Sequence, residues 1–261
     1  MSDADEFLRL VRRHPERIYI IHYSSQSLYD DAVDREGLSP RITSIVVMHF
    51  ATRQTVTFAM HAVAEELGIP RIEVASRYDD VERAILERYY AFARDRREKT
   101  WVHWNMRNVV FGFEHLEHRY RVLTKAEPPS IPVEVRVNLN DVFKQRYGSN
   151  YAADPKMQTL MDLNGPRDPR FMTGSEEAKA FLATDFIRMH SSTICKVEFF
   201  RHALELSVKG RLKTAGTGLF VRLDRFLESR LARVVTFITT AIAFAGSLYA
   251  IVAWLALRLA T

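Results

Sequence analysis

The run from Val234 to Leu257, VVTFITTAIAFAGSLYAIVAWLAL, contains 24 residues and no charge. As a helix it would extend about 36 Å, more than the roughly 30 Å of a bilayer's hydrocarbon core. A core helix of that length would carry a polar stripe, and this run has none. The spacing therefore predicts a single transmembrane helix over 234–257. Its position excludes a secretory signal, and the amino-terminal MSDADEFLRLVRRHPER has no apolar run that could serve as one.

Charge sharpens that reading. Between Arg201 and Arg233 eight basic residues face three acids, a surplus equal to the net +5 of the whole chain. The basic character therefore belongs to a belt beside the span, and the remainder is close to neutral. Such a belt stays on the cytoplasmic side. Within it Leu219, Leu223, Phe226, Leu227 and Leu231 recur at helical spacing. This reads as an amphipathic segment lying on an anionic leaflet, running into the span, or packing on the soluble part. The expected organisation is a cytoplasmic domain over 1–208, a basic juxtamembrane segment over 209–233 and the span over 234–257. The span's small residues four apart, such as Ala241 with Ala245 and Gly246 with Ala250, would let two copies approach, so a homo-oligomer is a candidate partner state. The single Cys195 excludes an internal disulfide framework and a cysteine-rich zinc site.

The soluble part reads as α/β. Residues 3–13 have a helical pattern, and IYII opens a buried strand that runs toward Leu28. ITSIVVMHF (42–50) and TVTFAMHA (55–62) form a hairpin, and a helix closing at Gly68 follows. Residues 79–99 make a long helix with Asp79 or Asp80 as its cap. TWVHW (100–104) is a strand, Val109 to Leu123 a helix, and 132–140 a strand feeding a helix at 141–147. Residues 148–174 read as a long loop and 175–207 as helical. This order suits a mixed sheet with an antiparallel three-strand start, flanked by helices.

That order, with His22-Tyr23-Ser24-Ser25-Gln26 at the end of the first strand and Trp101-Val102-His103-Trp104-Asn105 at the fourth, resembles the DnaQ-like 3′–5′ exonucleases of the RNase H-like fold. The resemblance covers roughly residues 17–208. It implies an RNase H-like mixed sheet and a site at these strand ends. Members of the family hydrolyse phosphodiesters with four acids that hold two divalent metals. Here His22 and Ser24 occupy the first two acidic positions, and Gly112 or Val109 falls at another. In the third motif Asp185 and His190 stand in the reverse order. The acids Asp30, Asp31, Asp34 and Glu36 read as a solvated loop. The expectation is a site that has lost two-metal hydrolysis, with no cofactor and no divalent metal.

What remains at those positions is polar. His22, Ser24, Gln26, His103, Trp104, Asn105, Asn108 and Glu114 are the candidate ligand-binding residues, with Trp104 taken as exposed and able to stack a base. The expected task is recognition of nucleic acid, a nucleotide or a protein partner at the membrane. Two alternatives stay open. One is a membrane effector whose spans assemble on a signal sensed by the soluble domain. The other is a membrane-tethered nuclease using His22, His103 and Glu114. Glu114, His115 and His118 also have helical metal-ligand spacing, but no third ligand is evident and an ordinary surface helix is the simpler reading.

Overall fold

Five strands form one mixed sheet in a computed structural model that describes residues 2–26, 39–107 and 110–216. The strands are β1 (Ile18–Ser25), β2 (Ile42–His49), β3 (Thr55–Ala59), β4 (Thr100–His103) and β5 (Arg136–Asn138), in the spatial order β3-β2-β1-β4-β5. β1 pairs antiparallel with β2 and β2 antiparallel with β3, whereas β4 runs parallel to β1 and β5 parallel to β4. The antiparallel three-strand start is as the sequence implied. The IYII run is apolar on both faces because β1 is the central strand and is covered on both sides.

The helices are α1 (Asp3–Arg13), α2 (Met60–Glu66), α3 (Tyr78–Arg94), α4 (Phe113–Thr124), α5 (Leu139–Tyr147), α6 (Lys156–Asn164), α7 (Gly174–Leu182) and α8 (Phe186–Val208). Strand alternation sorts the core into two layers. Ile21, Tyr23, Ile45, Val47 and Trp101 pack with α3 and α4 on one face. Ile18, Ile20, Val46, Met48 and Val102 pack with α1, α5 and α8 on the other. α1 shows how a short helix joins such a layer. Ala4, Phe7, Leu8 and Val11 form its buried stripe, and the Ser2 side chain accepts the Asp5 N–H at its start. Met1–Leu212 form one compact unit.

Several boundaries differ from the sequence reading. β3 stops at Ala59, and Met60, expected in the strand, opens α2. α3 starts at Tyr78 with Arg77 at the cap, so Asp79 and Asp80 lie in the first turn, where they favour the helix dipole instead. α4 starts at Phe113, four residues beyond the expected Val109. Residues 148–174 are not all loop. α6 stands inside them, burying Leu160 and Met161 between Pro155 and Gly165, whose punctuation masked its short apolar pattern. The helical stretch 175–207 is two helices. Thr184 turns left-handed between them at φ 53°, and Asp185 caps α8. α7 opens on a reciprocal Thr173–Glu176 capping box.

No helix among the described residues is long and apolar enough to cross a membrane. The expected span over 234–257, the amphipathic stretch 219–231 and the acidic loop residues 30–36 lie outside the described residues. Cys195 lies buried on α8, and burial pushes its thiol up to about 11, which leaves it protonated and unreactive at neutral pH.

Candidate functional site

β1 brings His22 and Ser24 to the face covered by α8, opposite Val46 and Ser44 of β2. His22 is 6% exposed and its ring meets Phe200 of α8 and Phe111 edge-on, at 5.3 and 5.6 Å. Its Nδ1 has no hydrogen-bond partner among the described residues. Burial holds the ring well below the ordinary histidine range, and the charges of Lys196 and His103 push the same way. His22 is therefore neutral at any physiological pH. Ser24 is buried beside Thr43, with the two hydroxyl oxygens 2.8 Å apart. Gln26, just past the strand, donates its backbone N–H to the Arg41 carbonyl at 2.9 Å.

The parallel neighbour behaves differently. His103 alternates with Val102 and so points to the opposite face from His22, where its ring sits edge-on to Phe113 of α4 at 5.5 Å. Burial, with Arg107 and Arg136 nearby, holds its pKa down to about 3, and its Nδ1 accepts the Met106 N–H. The two histidines thus do not line one cleft. Trp104, expected exposed, is buried and lies flat on Phe200 with ring centroids 5.5 Å apart and planes 9° apart. It is a core residue, because the apolar surface of α8 reaches over the end of β4, and it offers no face to a base. Asn108 lies outside the described residues. Glu114 sits at the first turn of α4 and bonds Arg136 at 2.6 Å. Arg136 also reaches Glu117 and the Ile131 carbonyl, so Glu114 is one arm of a structural clamp on β5.

Asn105 is the most connected of the expected residues. It adopts a left-handed φ of 54°, which asparagine tolerates better than most residues. Its Oδ1 accepts from Arg107, Asn138 and Asn140 at 3.2, 3.3 and 3.0 Å. Its N–H donates to Asn138 Oδ1, which also caps α5 through the Asn140 N–H. Asp141 completes the cluster, bonding Arg107 at 2.6 Å and Asn138 at 2.9 Å. This exposed group of amides, one cation and one carboxylate stands just beyond the carboxyl ends of the parallel strands β4 and β5. Open α/β sheets bind ligands in that position.

The structure adds residues that the sequence reading passed over. Arg107, Asn138, Asn140 and Asp141 join Asn105; the Asn-x-Asn-Asp run before an apolar helix was their only sequence signal. Lys196 is the other. It is 5% exposed on α8, binds Glu177 of α7 at 2.6 Å, and exerts its charge on His22. Ser192 donates to the same Glu177 oxygen at 2.9 Å. A lone lysine one turn from Phe200 on an otherwise apolar helix face was the available sign.

The family's metals would require anionic oxygens at the first strand. The donor set does not fit them: a neutral imidazole and a hydroxyl supply no negative charge to offset a dication. His115 cannot ligate either. It is fully buried, its Nε2 donates to the Pro40 carbonyl at 2.9 Å, and its Nδ1 is left to accept from the Tyr23 hydroxyl at 3.0 Å. Among the described residues no three His, Cys, Asp or Glu side chains converge to hold an ion. No family model, no curated protein and no solved structure matches this chain.

Proposed function

We propose that the chain is a membrane-anchored recognition protein whose exonuclease-like, RNase H-like domain binds a nucleic acid or nucleotide without hydrolysing it. The observation that carries this reading is at β1. A buried, neutral His22, with the charge of Lys196 acting on it, stands where the resembling family places metal-binding acids. Hydrolysis by two metals needs about four negative groups there, and His22 and Ser24 supply none. The mixed sheet and its antiparallel start are consistent with the RNase H-like arrangement. Fold likeness alone carries no function, so the ligand is argued from chemistry. The carbonyl oxygens of Asn105, Asn138 and Asn140 are taken by bonds within the cluster and to Tyr151, but the Asn105 amide, one Asn140 N–H and the remaining Arg107 N–H groups can donate to a base edge or a phosphate. The charge-free run at 234–257 and its basic flank would hold this domain at the cytoplasmic face.

The full-length chain is incubated with single- and double-stranded oligonucleotides and with nucleoside triphosphates, in Mg²⁺ and in Mn²⁺. The expected result is saturable binding and intact oligonucleotide. Arg107→Ala or Asn140→Ala should weaken binding by about tenfold, the loss of one charge-assisted contact. Metal-dependent cleavage that disappears in His22→Ala would overturn the reading and make the protein a nuclease. Absence of any nucleotide binding would move recognition to a protein partner.

A further inference from the structure

At the far end of α5 from Asn140 and Asp141, cations from three separate elements meet. Arg9, Arg12, Arg146 and Lys209 line a pocket of about 490 Å³ between α1, the end of α5 and the end of α8. Small-molecule sites commonly measure ~300–1,000 Å³. Arg9 and Arg12, three apart on α1, share a face beside the buried Leu8. Arg146 lies in the last turn of α5, and Lys209 closes α8. No charge run in the sequence marks the group: Arg146 reaches Asp5 across 141 positions, and Arg12 reaches Val208 across 196.

The bonds these cations make leave charge over. Arg12 Nη2 donates to the Val208 carbonyl at 3.0 Å, a neutral acceptor that fixes the guanidinium without cancelling it. Val208 ends α8, and the carboxyl end of a helix draws a cation, but one would serve. Arg146 pairs with the lining acid Asp5, and Lys209 with Glu205 at 2.7 Å. Four cations against these two acids leave a surplus of two positive charges. Arg12, Arg146 and Lys209 are exposed and each makes one side-chain bond among the described residues, so most of their N–H donors remain for a ligand. A phosphate monoester carries about −1.5 to −2 charges at neutral pH and three acceptor oxygens, which answer both the surplus and the guanidinium forks.

We infer that this pocket binds a phosphate monoester, carried by a soluble small molecule or by a lipid headgroup. The site is separate from the Asn105 cluster and does not depend on the proposed function or on the membrane span.

The test uses the full-length chain in a non-ionic detergent with ¹³C-methyl leucine and valine. It is titrated with glycerol 3-phosphate, with glycerol, and with dioctanoyl phosphatidic acid against dioctanoyl phosphatidylcholine. The expected result is a saturable shift of the Leu8 and Val208 methyls by the two monoesters only, with Leu86 on the other side of the sheet unmoved. Arg12→Gln and Arg146→Gln should each weaken binding about tenfold, the loss of one charge-assisted contact. Arg83→Gln removes the same charge from the exposed face of α3 and should leave binding unchanged. A much tighter phosphatidic acid complex would assign the monoester to a lipid, and equal affinities would assign it to a soluble ester. Unsaturable shifts, an equal response to glycerol or phosphatidylcholine, or a loss in Arg83→Gln that matches Arg12→Gln would overturn the site. Shifts produced by a single-stranded oligonucleotide and by neither monoester would overturn it in favour of a nucleic-acid surface. If the arginine variants disturb the Leu86 methyls and so do not fold, Lys209→Gln, on the exposed turn after α8, still decides: unchanged binding there would overturn the site.

Discussion

The two faces of the sheet differ in how they hold their buried histidines. On the α3–α4 face the histidine and its neighbours are bonded, although the buried Tyr89 hydroxyl has no partner among the described residues. Tyr23 accepts the Gly112 N–H at 2.8 Å and meets His115, which is anchored in turn on the Pro40 carbonyl. Glu82 takes two bonds from Arg119 and the Ile42 N–H at 2.9 Å, so it ties α3 to α4 and to the start of β2. On the α8 face His22 keeps a buried ring nitrogen with no partner among the described residues, although Ser24, Ser44, Ser192 and Lys196 around the same layer are bonded. A fully bonded network is the mark of a fold being held in register. An unanswered group is the mark of a position that folding alone does not explain. The difference between these histidines directs functional interest to His22 and away from His115 of α4.

The largest effect that could break this contrast comes from Glu82. Glu82→Ala would leave Arg119 charged and buried and the Ile42 N–H unpaired. We expect a loss of about 3–5 kcal/mol in unfolding free energy, read from urea titration. A loss under 1 kcal/mol would mean that the α3–α4 face is not held by its polar network. Acid should act on both faces, since burial also lowers His22, packed on α8, and His190 of α8, and on this face it acts through two histidines. His103 and His115 titrate near 3 and 4 when folded, and near 6.5 when unfolded. Their depressed values favour the folded state fully above pH 6.5. As pH falls from 6.5 toward 4, the unfolded chain takes up protons that the folded one refuses. Each histidine then costs about 1.4 kcal/mol per pH unit. Thermal melts at pH 7 and 5 should show a clear drop that shrinks in His115→Phe when each pH is compared with its own pH 7 value. An unchanged slope in that variant would remove His115 from the account.

Tyr23→Phe is a smaller perturbation of the same network. It removes a hydroxyl that accepts the Gly112 N–H and bonds His115, and leaves both partners buried. The expected cost is about 1–3 kcal/mol by chemical denaturation. A neutral outcome would show that Gly112 and His115 find other partners, and would narrow the gap between the two faces.

How far the sequence could reveal this depended on period and on distance. The stripe of α1, the run at β1 and the β2–β3 hairpin were legible, because each is written in neighbouring residues. α6 was not, since Pro155 and Gly165 suggested a loop and only Leu160 and Met161 argued for burial. Of the candidate site residues, His22 could be placed on the first strand from the IYII run beside it. Trp104 was misjudged because its cover, Phe200, is nearly a hundred positions away in the sequence. His103 was grouped with His22 although strand alternation sends them to opposite faces; the parity was readable only once the β1–β4 pairing was known. The charge of Lys196 on His22 is likewise a tertiary fact.

The smallest expected effect is the sharpest test of the contrast. His22→Leu replaces a buried ring that has an unanswered nitrogen with an apolar side chain of similar size, facing Phe200 and Phe111. If the ring contributes nothing to folding, stability should stay within about 1 kcal/mol or rise, because removing an unpaired buried polar atom is nearly neutral or favourable. Tyr23→Phe, equally buried on the same strand one residue away, should cost more. The order of those two values, measured side by side in urea, separates a histidine kept for binding from one kept for packing. A His22→Leu loss that exceeds the Tyr23→Phe loss would mean that His22 is structural, and the ligand would then have to be sought at Asn105 and Arg107 alone.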